Sequence, residues 1–254
     1  STAGNLETDD TLYVSDKLNI TGGNSTVEEI NAVGTSLGCD STVTYLNHFN
    51  GANGSTTNSS TSCDGSTFTA TFTNLTLSTA QQKFGTASLA IDGNPANFVT
   101  FPDDDKWTLG TNFRIDVWYR PTNFSQAAAL AFQRESASRT WHFGLTAAKK
   151  LYFQYYYAAN LALIESTSAV TINAGEWHLF TVSYSWNTPY LFFDGTSIPV
   201  TVSTARTGAF TNLVAPLQFG GGSSFGDGTG FIDEARILNA ATTSYFTAQT
   251  EEYY

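Results

Sequence analysis

The chain carries few groups able to move protons or hold metals. Its 254 residues include 22 Asp and Glu, 11 Lys and Arg, 3 His and 2 Cys. Glycoside hydrolysis needs two carboxyl groups across one cleft, about 5–5.5 Å apart for retention and about 6.5–9.5 Å for inversion. Successive side chains of a strand point to opposite faces, so a strand-borne pair needs acids at alternate positions. No strand pattern of the chain carries two acids at alternate positions. The strand pattern Phe113–Arg120 places Phe113, Ile115, Val117 and Tyr119 on one face and Arg114, Asp116, Trp118 and Arg120 on the other. Asp116 is then a lone carboxylate between guanidinium groups, which keep it ionised and unsuited to general-acid work. Asp233 and Glu234 are consecutive and face opposite ways. His48, His142 and His178 lie far apart, each inside a strand pattern, and read as packed or surface histidines. There is no Gly-x-Ser-x-Gly elbow. The glycine-rich stretch Gly220–Gly226 lacks the Lys and long helix of a phosphate cradle, and reads as a mobile loop. No catalytic residue is expected, and the chain is not expected to be an enzyme.

The elements that position these residues are strands. Charged residues make up 13 % of the chain and aromatics 14 %, with 19 Phe, 12 Tyr, 5 Trp and no Met. Thr, Val, Phe and Tyr favour a pleated, half-buried surface, and this much aromatic content argues against disorder. From Thr42 onward, short strand patterns follow one another with turn signals between them. They include Thr42–Phe49, Phe68–Phe72, Ser88–Ile91, Phe98–Phe101, Phe113–Arg120, Ala129–Gln133, Thr140–Leu145 and Leu151–Tyr157. Trp177–Ser185, Tyr190–Phe193, Ile198–Val202, Leu217–Phe219 and Phe231–Leu238 complete the series, with Asp194-Gly195 a hairpin signal. Ala240–Phe246 is the only helical reading. This spacing predicts a sandwich or barrel.

Residues 1–42 differ, with seven acids against Lys17 alone. They read as an acidic N-terminal arm or attachment segment, with the main domain at 43–254. The net charge of −11 argues against nucleic acid, which demands a basic footprint, and against anionic lipid. No leader signature is visible at Ser1–Gly4, and no apolar run approaches the ~18 residues that cross a bilayer, so no membrane insertion is expected. Cys39 and Cys63 can form one disulfide or remain a free pair; their surroundings show no zinc spacing.

Several segments, in order, resemble the laminin-G-like jelly roll of the concanavalin A-like lectin/glucanase superfamily. They are Leu46–Gly54, Lys83–Gly93, Phe98–Pro102, Phe113–Pro121, Glu176–Phe180, Leu191–Gly195 and Phe231–Ile237. The resemblance implies an all-β, two-sheet antiparallel sandwich with a short N-terminal arm. Lys83-Phe84-Gly85 and Ile232-Asp233-Glu234-Ala235-Arg236-Ile237 are especially similar to versions in structural proteins of tailed bacteriophages. That implies a non-enzymatic virion surface protein, whether capsid decoration, head fibre or tail fibre. Its partners would be other virion proteins, reached through the arm, and host glycans; self-association is a further expectation. The alternative is a carbohydrate-binding or adhesion module of an extracellular protein.

Jelly rolls of this kind often hold Ca²⁺ at a sheet edge through carboxylates and backbone carbonyls. The matching positions are Asp92 and Asp233, although Asp before Gly is also an ordinary turn residue and Asp233 can pair with Arg236. For glycans, the expected surface combines Tyr152, Gln154 and Tyr156, on one face of their strand, with Trp118 and Arg120. The competing reading packs that face under loops. Trp186 and Tyr190, around a turn, form a weaker candidate.

Overall fold

A computed structural model describes residues 41–123, 126–157, 160–204, 208–221 and 228–250. The proposed arm, residues 41 and 42 aside, lies outside them, and with it Thr11–Val14 and Leu18–Ile20, two stretches whose sequence reads as short strands. From Val43 onward the described residues form eighteen strands. They are β1 (Val43–Asn47), β2 (Ser59–Thr61), β3 (Thr67–Thr69), β4 (Thr71–Thr73), β5 (Thr76–Ser78) and β6 (Ser88–Asp92). Next come β7 (Phe98–Phe101), β8 (Asn112–Pro121), β9 (Ala128–Ser136), β10 (Arg139–Leu145), β11 (Leu151–Tyr157) and β12 (Asn160–Ser166). The last six are β13 (His178–Ser185), β14 (Thr188–Phe193), β15 (Thr196–Ile198), β16 (Val200–Thr204), β17 (Leu217–Gly220) and β18 (Thr229–Leu238). Among the described residues, one 3₁₀ turn spans Asp105–Trp107, with the Asp104 side chain capping it by accepting the Lys106 N–H.

The strands form two antiparallel sheets. One runs β15-β14-β13-β8-β18-β1-β2-β3, with β6 also on β18 and β5 on β6. The other runs β16-β12-β11-β10-β9-β17-β7-β4. Long β18 organises the first sheet. It pairs with β8 along one side, and with β6 and β1 in series along the other. The core is the aromatic filling between the sheets. Phe113, Ile115, Val117 and Tyr119 of β8 face Leu151, Phe153 and Tyr155 of β11, together with Trp107, Trp141, Tyr184 and Phe210. Phe113 packs on Tyr184, Phe153 and Phe210 at centroid distances of 5.2, 5.6 and 5.3 Å.

Several expectations change. Phe68–Phe72 is two strands in different sheets, because the chain turns the corner at Ala70. Ile198–Val202 is likewise split at Pro199, which cannot donate to a ladder. β12 was not anticipated. Ala240–Phe246 is not a helix but an irregular segment. Its backbone is bound to the sheet instead, with Thr242 N donating to Ser183 Oγ at 2.9 Å and Phe246 N to the Gly195 carbonyl at 3.1 Å.

Candidate functional site

The residues expected to form one glycan surface lie on two different sheets. On β11, Leu151, Phe153 and Tyr155 enter the core, so Tyr152, Gln154 and Tyr156 occupy the outer face of the eight-stranded sheet. Cross-strand register sets Gly144, His142 and Thr140 of β10 beside them, and Glu165, Leu163 and Leu161 of β12 on the other side. Trp118 and Arg120 lie on the outer face of the ten-stranded sheet, because Val117 and Tyr119 take the inward positions of β8. The two groups do not make a common surface.

The two outer faces also differ in access. Trp118 is 4 % exposed. The Lys83 ammonium sits 4.1 Å from its ring centroid, and Phe84 meets it edge-on at 5.9 Å. Its role is packing beneath the Lys83-Phe84 segment. Arg120 is half-buried, with its guanidinium carbon 5.9 Å from the Phe231 ring centroid. On the other sheet, the centre of the outer face is a covered floor. Phe132 and His142 stack at 5.1 Å and are buried, as is Tyr152. His142 accepts or donates a 2.7 Å bond with Thr140 Oγ1. Burial and then the nearby Arg134 charge lower its pKa to about 3, so the ring is neutral. Burial raises the Tyr152 phenol well above its ordinary value. Around this floor, Gln154, Tyr156, Leu161 and Leu163 are half-exposed and Arg134 is exposed. This rim offers an aromatic ring, an amide and aliphatic edges, the chemistry that a sugar face uses.

The carboxylates of the ten-stranded sheet are cornered. Asp116 is fully buried and accepts from Arg114 Nε at 2.8 Å, Arg236 Nε at 2.6 Å and Thr181 Oγ1 at 2.5 Å. Burial by itself would raise its pKa. The charges of Arg114 and Arg236, with the hydrogen bonds of Arg114 and Thr181, outweigh it and hold the carboxyl below its usual range. The second guanidinium is therefore that of Arg236, brought in by β18, and not that of Arg120. Asp233 Oδ2 takes the backbone N–H groups of Lys83 and Phe84 at 2.8 and 3.2 Å, and Oδ1 that of Glu234 at 2.9 Å. Burial raises Asp233 to about 8, against the donors of Lys83, Phe84 and Glu234 and with the Glu234 charge beside it.

The two positions expected for calcium, Asp92 and Asp233, do not come together. Asp92 pairs with Thr229 across the ladder while Leu89 pairs with Ile232, which puts Asp92 and Asp233 four residue steps apart, about 13 Å. Asp92 spends its oxygens on Asn94 N at 3.0 Å and Asn97 Nδ2 at 2.7 Å. Among the described residues, no three His, Cys, Asp or Glu side chains gather as a metal cluster. Cys63 is disulfide-bonded; the chain's other cysteine, Cys39, lies outside the described residues. Trp186 is exposed at the tip of the β13–β14 hairpin. No helix among the described residues is long and apolar enough to cross a membrane.

The fold and its faces define a two-sheet jelly-roll sandwich. The chain belongs to the concanavalin A-like lectin/glucanases superfamily: a laminin G family model so described matches residues 92–245. Among solved structures, domain 4 of AbnA, a GH43 extracellular arabinanase from Geobacillus stearothermophilus in complex with arabinotriose, is similar at a TM-score of 0.58 and 14 % identity. That match covers 79 % of this chain and 94 % of the other. The binding domain of Paraclostridial Mosquitocidal Protein 1 is similar at 0.59 and 12 % identity, over 80 % and 50 % of the two chains. The binding domain of botulinum neurotoxin serotype D gives 0.59 and 9 %, over 80 % and 49 %. This chain spans about half the length of those two toxin domains. At these identities the likeness is one of fold. A comparison with curated proteins returned no match.

Proposed function

We propose that this protein is a non-catalytic carbohydrate-binding or adhesion module that works outside the cell. The observation that carries the reading is the half-exposed Gln154–Tyr156 rim on the outer face of the eight-stranded sheet. Tyr156 offers a ring to a sugar's apolar face, and Gln154 offers an amide to its hydroxyls. The arabinotriose complex of the arabinanase domain supports the same class of ligand. The cornered state of Asp116 and the burial of Asp233 and Glu234 support the absence of hydrolysis. Placement on a phage virion rests on the Lys83–Gly85 and Ile232–Ile237 motifs alone and gains nothing from the similar structures. The test is a glycan array that includes arabino-oligosaccharides, run on the wild type, Tyr156→Ala and Gln154→Ala. Saturable binding that falls at least tenfold in both variants supports the reading. Binding to no glycan, or binding indifferent to both changes, refutes it.

A further inference from the structure

A cleft of about 430 Å³ opens where β1 runs into its following loop, lined by His48, Phe49, Asn50, Thr57, Asn58 and Ser59. We infer that this cleft is a second binding site, for one neutral sugar unit or a similar small polyol. The inference is independent of the Gln154–Tyr156 rim, which belongs to the other sheet.

Three observations point to it. The first is chemical composition. Two amides, two hydroxyls and an imidazole line the cleft, and none of its described lining residues is Lys, Arg, Asp or Glu. These side chains match a ligand whose hydroxyls both donate and accept, and carry no Lys, Arg, Asp or Glu charge of their own for a phosphate or a metal ion. The volume falls within the ~300–1,000 Å³ range of small-ligand pockets.

The second is that the lining is held in place from behind. Asn47, itself 1 % exposed, donates from Nδ2 to Asn58 Oδ1 at 2.7 Å and accepts Phe49 N on Oδ1 at 2.6 Å. Asn58 Nδ2 donates in turn to the Asn50 carbonyl at 3.2 Å. Asn50 Oδ1 accepts from Thr86 N at 2.6 Å and Thr86 Oγ1 at 3.2 Å. Gly85 makes that seat available, because a Cβ there would stand 2.2 Å from Asn50 Oδ1. His48 Nδ1 is 2.7 Å from Glu234 Oε1; the His48 side chain is 27 % exposed and that of Glu234 wholly buried. A carboxylate behind an imidazole fixes the ring's orientation and which nitrogen carries the proton. Gln249 Nε2 donates to the other Glu234 oxygen at 3.3 Å.

The third is backbone strain on both sides of the imidazole–carboxylate bond. Phe49 has φ +51° and Glu234 φ +46°, a left-handed conformation that non-glycine residues rarely hold. The Glu234 strain lies at a bulge, where the β18–β8 register shifts between Asp233 and Arg236. Bulges and strained residues gather where a side chain must be re-aimed for a task.

The test uses the full chain, labelled with ¹⁵N and titrated separately with arabinose, galactose, glucose and N-acetylglucosamine, and with inorganic phosphate. At least one sugar is expected to shift the amides of residues 48–51 and 57–59 saturably, and phosphate is not. Thr57 and Ser59 are exposed, so Thr57→Trp and Ser59→Tyr fill the cleft without entering the core. Either variant, at an unchanged melting temperature, should abolish the shifts, whereas Tyr156→Ala should leave them intact. Silence with all four sugars, a response to phosphate alone, or shifts that survive both filling variants overturns the inference. Shifts confined to β11 would overturn it too, while leaving the rim reading standing.

Discussion

Asp116 shows how one side chain can answer a functional question. Its neighbours on β8 already mark it as a carboxylate beside an arginine, but the second guanidinium comes from Arg236, 120 positions later, across the β18–β8 ladder. Removing the charge in Asp116→Asn leaves both arginines facing a neutral amide. The variant is expected to lose about 3–5 kcal/mol, the usual cost of breaking a buried ion pair by removing one partner. Denaturant unfolding measures it. Because the folded carboxyl titrates below its unfolded range, this stabilisation is present above about pH 4. It is lost as the pH falls through the folded value, so the gap between wild type and variant should close in acid. Asp233 shows the same dependence on partners remote in sequence. Lys83-Phe84-Gly85 and Ile232-Asp233-Glu234 are separate motifs in the chain, yet the backbone of one supplies the hydrogen bonds of the other.

Elements were legible where only one face is apolar. Phe113–Arg120 alternates cleanly, and β8 spans it. β12 hides because Leu161 and Leu163 flank the outer rim while Ala162 and Ile164 fill the core, so both faces are apolar and the alternation disappears. Ala240–Phe246 has residues compatible with a helix, but the sheet supplies partners for its N–H groups, and tertiary bonding overrides propensity. Asp194 and Gly195 form the expected hairpin, with φ +49° and +76°. At Gly195 a Cβ would lie 1.9 Å from the Phe246 carbonyl oxygen, so the glycine also admits the C-terminal segment. The β13–β14 loop breaks the rule. Ser185 pairs with Thr188, and Trp186 holds φ +56° while 69 % exposed. Asn tolerates that conformation, so Trp186→Asn should stabilise the protein by about 1 kcal/mol, read from the urea midpoint.

At the scale of the whole molecule, contacts divide the chain into Ser1–Gly34 and Thr35–Tyr254. Every core residue assigned above lies in the second unit. A chain beginning at Thr35, which keeps both cysteines, is therefore expected to melt at the same temperature as the full protein and to bind the same glycans. A lowered melting temperature in calorimetry would show that the acidic segment contributes to the fold. If only particle attachment were lost, the arm reading would gain support.

The sequence by itself determined the all-β class, the jelly-roll family, most strand positions and the lack of two acids at alternate positions of any strand pattern. These properties depend on period-two patterning and on short local motifs, which are written in consecutive residues. Only the tertiary structure decided that Trp118 and Tyr156 lie on different sheets, that Trp118 is covered by Lys83 and Phe84, and that His48 meets Glu234. Those relations join residues far apart in the chain, and they depend on which segment folds over which face. Alternation tells a side chain to leave the core; it does not say whether water or another piece of chain waits outside.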